Sequence, residues 1–194
     1  MNLPNDYDSA KSYSGQTATP LPVGPHCCRI VGSRLITTVS GAQMLEIAFD
    51  IAEGSKFDGK YKARFEGLRK QNPSAKWPNS GIFRTSILTK DGKTNTFFKG
   101  LITAVEESNA GYSFKASQCN EETLKNKMVA FNFGEEEFVG DDGAVRAAVK
   151  PFYAISVKTA REGIDPPRRR TVQRNTPAAP ANGFTEVHDE ELPF

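Results

Sequence analysis

Alternating apolar and polar side chains predict β-strands in the first half of the chain. From Leu45 onward, every second residue of Gln43–Ile51 is a large apolar one, which is the pattern of a strand with one buried face. The preceding run, Cys27–Val39, is rich in β-branched residues and stops at the turn signal Ser40-Gly41, so it predicts an earlier strand. Lys60–Phe65 alternates in the same way and predicts a third strand.

The second half of the chain predicts a helix followed by two more strands. Apolar residues recur at helical spacing in Asn95–Ser108, which indicates one amphipathic helix. Lys127–Val139 and Val145–Thr159 predict strands on either side of the turn Asp141-Asp142-Gly143. Three strands, a helix and two strands follow one another as in an OB-fold, a small five-stranded Greek-key barrel. A different β-barrel or a β-sandwich would give a similar strand count.

Composition limits how much of the chain can form a packed core. Hydrophobic residues make up 38% of the sequence, which also contains 16 Gly and 12 Pro. Both ends are rich in Pro, Gly and polar residues without periodicity, and such segments cannot bury a core. The prediction is a mainly β protein, an OB-fold five-stranded barrel with one helix between strands 3 and 4, plus a disordered N-terminal arm and C-terminal tail. The arm covers 1–24, the OB-fold domain 25–165, and the linker with its acidic tip 166–194.

Charge is distributed unevenly along the chain. The last eleven residues carry four acidic side chains and no Lys or Arg, and the remainder has 25 basic against 19 acidic side chains. A basic body with an acidic end favours a polyanionic partner and an internal competitor for it. Charge balancing for solubility would explain the same distribution equally well.

The cysteines and histidines argue against a disulfide framework, a metal site and an enzyme. The three cysteines are odd in number, two of them are adjacent, and the two histidines lie at opposite ends of the chain. No phosphate-binding loop, nucleophile elbow or zinc-protease motif occurs, and Glu135–Glu137 should be a solvated strand end because consecutive strand residues face opposite ways. We expect no cofactor, no membrane association and a reducing cytoplasm, because signal and membrane-spanning patterns are missing.

Basic side chains on predicted strands and loops suggest a nucleic-acid-binding groove. A single-strand binder needs cations for phosphates and flat side chains for bases. Three cations share one face of the predicted third strand, two share a face of the last strand, and two lie within the long polar stretch 66–96, which should be functional or disordered. Each taken alone is better explained as a solvated side chain, and the three on one strand face favour binding modestly. The candidate phosphate-binding residues are Lys60, Lys62, Arg64, Lys76, Arg84, Arg146 and Lys150.

Three aromatic residues are candidates for stacking on bases. Trp77 comes first because it stands in a basic loop between Lys76 and Pro78 and not in an apolar run. Phe83 and Phe152 follow because each lies near candidate cations. The alternative for each is core packing, which accounts for most aromatic side chains.

The C-terminal tip has the chemistry of a short docking peptide. Acidic residues are followed by an apolar residue, a proline and a terminal phenylalanine, which could fill a hydrophobic hole in a partner while the acids meet its basic rim. This tip resembles that of bacterial single-stranded-DNA-binding proteins; the alternative is an incidental acidic end. The candidate partner-binding residues are Asp189, Glu190, Glu191, Leu192, Pro193 and Phe194.

Several stretches of the body resemble phage and prophage proteins of the single-stranded-DNA-binding type. They are Ser40-Gly41 through Phe49–Gly54, Phe98–Glu106 with Ser108-Asn109, Phe133–Glu137, Val145-Arg146 through Val149-Lys150, and Arg161–Gly163. The resemblance spans roughly residues 25 to 167, and proteins of this type commonly lack the acidic Pro-Phe tip. It implies an OB-fold and sequence-independent binding of single strands in phage DNA replication, recombination or repair.

These observations lead to one expected set of partners and two alternatives. We expect single-stranded DNA as the ligand, replication, recombination or repair proteins at the tip, and the cytoplasm of a bacterial host as the location. A homo-oligomer is compatible with the sequence. The alternatives are a protein-binding adaptor of the replisome and an RNA-binding OB protein.

Overall fold

The computed structural model describes residues 19–52 and 54–172. The first eighteen residues of the predicted arm and the predicted partner-binding tip, Asp189–Phe194, lie outside the described residues. Within the described part, the strands are β1 (Gly24–Thr37), β2 (Gln43–Ile51), β3 (Ile82–Ser86), β4 (Met128–Val139) and β5 (Val145–Ile155), and the helices are α1 (Lys60–Gln71), α2 (Thr96–Ser108) and α3 (Val157–Glu162). Short 3-10 turns cover Asn79–Gly81 and Glu121–Leu124. The prediction of a mainly β protein is confirmed.

All five strands belong to one antiparallel sheet with the order β3-β2-β1-β4-β5. The central strand β1 pairs with β4 through Gly24–Arg29 and with β2 along most of its length. The register shifts between Ile30 and Gly32, so Val31 is an extra residue that bulges from the ladder. Bulges increase strand twist. The sheet is open, yet β3 and β5 approach closely enough to line one groove.

An aromatic cluster from three strands forms the centre of the core. Phe131 on β4 lies 4.6 Å from Phe49 and 5.0 Å from Phe83, measured between ring centroids. Helix α2 covers this cluster with Leu101 and Val105, both fully buried. The alternating apolar positions of β2 face this core, as their spacing predicts.

The predicted third strand, Lys60–Phe65, is wrong: these residues begin helix α1. The carboxylate of Asp50 accepts hydrogen bonds from the backbone N–H groups of Tyr61 (2.8 Å) and Lys62 (3.0 Å), and so satisfies two donors that a helix start leaves unpaired. The segment is also rich in strong helix formers. The third strand is β3, which lies inside the stretch 66–96 predicted as an irregular loop.

The later elements lie close to their predicted positions. The predicted helix corresponds to α2, where the Asn95 side chain accepts a hydrogen bond from Phe97 N–H. Strand β4 matches its prediction within one residue. Strand β5 ends at Ile155 and not at Thr159, because Ser156 caps α3. Helices α1 and α3 were not predicted.

The folded part extends beyond both predicted boundaries. Leu21, assigned to the arm, is buried in the core. At the other end, the segment Asp165–Val172, which we name the strap, lies beside β4, although 166–194 was predicted to be disordered. The N–H of Arg170 donates to the carbonyl of Glu135 (2.9 Å), and the Arg170 carbonyl accepts from Glu137 N–H (2.8 Å). These bonds form a parallel bridge to β4.

Candidate nucleic-acid interface

Two arginines flank a buried carboxylate on the outer face of the sheet. The ladders place Arg34 (β1), Glu46 (β2) and Arg84 (β3) side by side. Glu46 Oε1 accepts a hydrogen bond from Arg34 Nε, and Glu46 Oε2 accepts one from Arg84 Nε, both at 2.7 Å. Glu46 is only 6% exposed, whereas the side chains of Arg34 and Arg84 are 70% and 43% exposed. The carboxylate therefore anchors two cations whose charged heads remain open to solvent.

The charge state of Glu46 follows from these contacts. Burial alone would raise the pKa of this carboxyl, but the hydrogen bonds from Arg34 and Arg84 outweigh burial and hold the pKa below its ordinary value. Glu46 is therefore ionised at neutral pH, which is the form that anchors both guanidinium groups.

A depression of about 720 Å³ lies beside these three residues. Gly32 and Ala48, paired across β1 and β2, contribute to its lining with little side-chain bulk. Lys76 and Trp77 line it as well. Trp77, the first candidate for base stacking, therefore lies in this depression next to the predicted cation Lys76.

Trp77 is held rigidly in this position. Its Nε1–H donates to the carbonyl of Gly81 (3.1 Å), and its ring lies 5.2 Å from the ring of Phe65 on α1. Gly81 must be a glycine for this packing, because a Cβ there would lie 2.7 Å from Trp77 Nε1 and 2.9 Å from Cγ of Tyr61. The half-buried indole is thus both a packing residue and a fixed surface.

A second depression, of about 540 Å³, lies on the other side of Trp77. It is lined by one side of α1, which contributes Lys62, Phe65, Arg69 and Lys70. The guanidinium of Arg69 lies 5.6 Å from the Phe65 ring centroid. Helical spacing therefore brings cations and an aromatic ring together beside Trp77.

A third groove, of about 320 Å³, runs between β3 and β5. Arg84 lines both this groove and the first depression, so the two lie next to each other. Lys150 and Arg170 add positive charge on the β5 side, and half-exposed Phe97 lies at the start of α2. Phe152 is buried beneath Arg170.

The three depressions adjoin one another and together form a surface, which we name the track. Trp77 joins the second depression to the first, and Arg84 joins the first to the third. Eight cationic side chains line it against two acidic ones, Glu46 and Glu66. The cations are Arg34, Lys62, Arg69, Lys70, Lys76, Arg84, Lys150 and Arg170. Such a surface can attract phosphates along its length and offer aromatic faces at intervals.

The structure brings most, but not all, of the predicted site residues to the track. Lys62, Lys76, Trp77, Arg84, Lys150 and Phe152 line it. Phe83 and Phe152 are both buried at the third groove, Phe83 against Phe131 and Phe152 beneath Arg170, so the prediction of each as a stacking residue is wrong.

Three predicted phosphate-binding residues do not line the track. Lys60 donates to the carbonyl of Thr19, and Arg146 forms a 2.6 Å ion pair with Asp142 at the β4–β5 turn. Arg64 is exposed on α1 but lines none of the three depressions. The prediction that Lys60, Lys62 and Arg64 share one strand face is wrong, because these residues lie on a helix, where Lys60 and Arg64 share one side and Lys62 lies on another.

Sequence reasoning missed six cationic or aromatic residues of the track: Arg34, Phe65, Arg69, Lys70, Phe97 and Arg170. Reading α1 as a helix would have found three of them, because Phe65, Arg69 and Lys70 lie at helical spacing from the predicted Lys62. Arg170 gave no local signal, because its position depends on the strap lying beside β4.

The acidic triplet Glu135–Glu137, predicted to be a solvated strand end, is the centre of an ion-pair network. Arg169 lies 3.2 Å from Glu135 and 2.9 Å from Glu137, and Lys150 lies 2.6 Å from Glu136. The hydrogen bond from Lys150 lowers the pKa of Glu136 against the opposing effect of burial. The triplet therefore holds the strap and one cation of the track in place.

Comparisons with protein-family models and with curated proteins find no match. Within residues 19–52 and 54–172, no helix is long and apolar enough to cross a membrane. The same residues contain no group of three or more His, Cys, Asp or Glu side chains that could hold a metal ion.

Proposed function

We propose that this protein binds single-stranded DNA without sequence preference, along the track. The observation that carries the proposal is a surface of three adjoining depressions on which cations outnumber acids and which also carries the partly exposed rings of Phe65, Trp77 and Phe97. Cations bind the phosphates of any sequence, and every base has a flat face that can stack on Trp77. A duplex hides those faces between its base pairs, so the same surface should favour single strands.

The strand arrangement supports an OB-type barrel as the framework of this site. The order β3-β2-β1-β4-β5 leaves β3 and β5 as neighbours across a groove, with α2 following β3 in the chain. An OB-fold is a partly open five-stranded barrel that binds oligonucleotides on the face of its second and third strands. The track crosses the outer face of β2 and β3 in this structure.

The wider role in this proposal rests on sequence resemblance. The protein would coat single strands in phage replication, recombination or repair, in the cytoplasm of a bacterial host and without catalytic activity. The tip Asp189–Phe194 would recruit enzymes of those processes. Pull-downs from host extract with DNA-saturated protein test this role of the tip. The protein without Phe194 should no longer capture the replication and repair proteins that the full chain captures. An unchanged set of captured proteins would reject the tip as a docking peptide.

Salt-dependent binding to fluorescent oligo-dT tests the DNA-binding proposal itself. Each phosphate contact on a single strand contributes about −0.7 to the slope of log affinity against log salt. Replacing Lys62, Arg69 and Lys70 of the track with alanine should weaken binding and flatten the slope by up to about 2. The matched control replaces Lys115, Lys125 and Arg161, three exposed cations off the track, and removes the same charge.

The outcomes of this experiment separate the competing functions. Equal effects of the two triple variants would show that net charge and not the track determines binding, and would reject the proposal. Equal or tighter binding to duplex would do the same. Tighter binding to oligo-U than to oligo-dT would favour an RNA-binding protein, and binding to neither would favour a protein adaptor.

A further inference from the structure

Arg170 of the strap stacks on an aromatic ring at one end of the track. Its guanidinium carbon lies 3.9 Å from the centroid of the Phe152 ring, which is contact distance for a cation on an aromatic face. Arg170 lines the groove between β3 and β5, and its side chain is 53% exposed. A planar cation is therefore presented to the groove with an aromatic ring beneath it.

The backbone of the strap fixes this arginine in place. Two main-chain hydrogen bonds join Arg170 to Glu135 and Glu137, as in a parallel pair of strands. Upstream, the buried side chain of Asn132 donates to the carbonyl of Asp165 at 2.9 Å. Because the anchors are main-chain atoms or a buried amide, Arg170 does not need its own charged head to stay in position.

The ring beneath Arg170 is closely packed and inaccessible to a base. Phe152 is 6% exposed, and a Cβ added at Gly134 would lie 2.8 Å both from its ring and from Pro167. A nucleobase could therefore reach Phe152 only if Arg170 moved away. The surface offered to the groove is the guanidinium plane itself.

The head of Arg170 is only loosely paired. Its distance to Glu136 is 3.7 Å, whereas Lys150 lies 2.6 Å from the same carboxylate and satisfies it more directly. Guanidinium planes stack on unpaired bases and are more weakly hydrated than ammonium groups. Half-exposed Phe97 lines the same groove and offers a second flat surface.

We propose that Arg170, backed by Phe152, is a nucleobase-stacking platform at the β3–β5 end of the track. This inference rests on the proposed function and adds a residue and a mode of contact to it. The strap then belongs to the binding domain.

The substitution Arg170→Lys tests the platform because it keeps the charge and removes the plane. We expect R170K to bind oligo-dT more weakly, by about five-fold or more, with an unchanged salt slope. The matched control is R168K in the same strap, since Arg168 is exposed and does not line the groove. R168K should bind as the wild type does. Thermal unfolding of both variants checks that the strap stays docked.

A measurement on the wild-type protein removes any dependence on how the variants fold. In nitrogen-15 NMR, the Arg170 Nε–H resonance should move upfield when saturating oligo-dT places a base ring over it. R170K identifies that resonance by its loss.

Three results would overturn the inference while leaving the proposed function intact. They are equal affinity of R170K and wild type, no movement of the Arg170 resonance in the complex, and tighter binding by R170A. Tighter binding by R170A would mean that Arg170 covers Phe152 and does not present a platform. Failure of the wild-type protein to bind oligo-dT would reject the proposed function itself.

Discussion

Nε of Arg84 on β3 lies 2.7 Å from the carboxylate of Glu46 on the neighbouring strand β2. The other oxygen of the same carboxylate accepts from Arg34 on β1. The negative charge of Glu46 offsets one positive charge of the track. The same carboxylate orients Arg34 and Arg84 by accepting hydrogen bonds from their Nε atoms, so it positions two cations of the track.

Glu46→Gln should reduce stability in a pH-dependent way. The amide cannot accept strongly from both arginines, so the free energy of unfolding at neutral pH should fall by about 1 to 3 kcal/mol. Because the pKa of Glu46 lies below its ordinary value of 4.5 in the folded protein, its contribution is fully present above that value. It is lost as the pH falls through the lower, folded pKa.

Urea unfolding of wild type and E46Q at several pH values measures this contribution. Their difference should be constant above the ordinary carboxyl value of 4.5 and shrink below it. E66Q is the control, since Glu66 is exposed on α1 and also lines the track. A difference between wild type and E46Q that stays constant down to about pH 3 would show that the ionised carboxylate contributes nothing.

Gly81→Ala should disturb the site through packing alone. The added Cβ would lie within 3.0 Å of Trp77, Tyr61 and the Phe49 carbonyl, so the protein should lose about 1 to 3 kcal/mol of stability. The emission maximum of the displaced Trp77 should shift as well.

Gly100→Ala on α2 is the matched control, because a Cβ there meets nothing within 4 Å. In a helix interior this change should stabilise by roughly 0.5 to 1 kcal/mol. Opposite signs for the two substitutions are the expected result. Equal thermal midpoints of G81A and wild type would contradict the close packing around Trp77.

Trp77 is the only tryptophan in the sequence, so its fluorescence reports on the track directly. Saturating oligo-dT should quench it. W77A should weaken binding by about 5- to 150-fold, which corresponds to one base stack, with little change in salt slope. W77F keeps a flat ring and should recover most of the affinity. If the fluorescence is not quenched in the saturated complex, Trp77 serves only in packing and does not stack on a base.

The alternating pattern was a sufficient guide wherever a strand has one buried face. Gln43–Ile51 was predicted with its observed bounds because its apolar side chains contact the core directly. The alternating pattern gave the wrong prediction, a strand, for Lys60–Phe65. The carboxylate of Asp50, on β2, caps this segment as the start of a helix. Propensity was the better guide there, since the helix buries only Tyr61 and most of its residues favour helices.

The site was predicted less completely than the fold because it depends on contacts between distant segments. Trp77 and Arg84 were found from local composition, since both stand in or beside a basic loop. Arg34 was missed because its importance comes from its register with Glu46. Arg170 was missed because a Pro- and Arg-rich segment indicates disorder unless the acids that hold it are known.

Two truncations should separate the strap from the residues that follow it. Ending the chain after Val172 removes four acidic side chains and one basic one but keeps every described contact of the strap. DNA affinity should then stay equal or rise modestly at low salt, because tethered acids no longer compete for the track. Thermal stability should not change.

Ending the chain after Asp165 should instead destabilise the domain. Glu135 and Glu137 lose their main-chain partners, and Phe152 loses the cover of Arg170. The loss of two hydrogen bonds and the partial exposure of the Phe152 ring should lower the free energy of unfolding by about 2 to 4 kcal/mol. This corresponds to a fall of roughly 5 to 15 °C in the thermal midpoint. Differential scanning fluorimetry of the two truncations gives the comparison. Equal midpoints would show that the strap adds no stability, and its removal without loss of DNA affinity would place the binding site entirely upstream of Pro166.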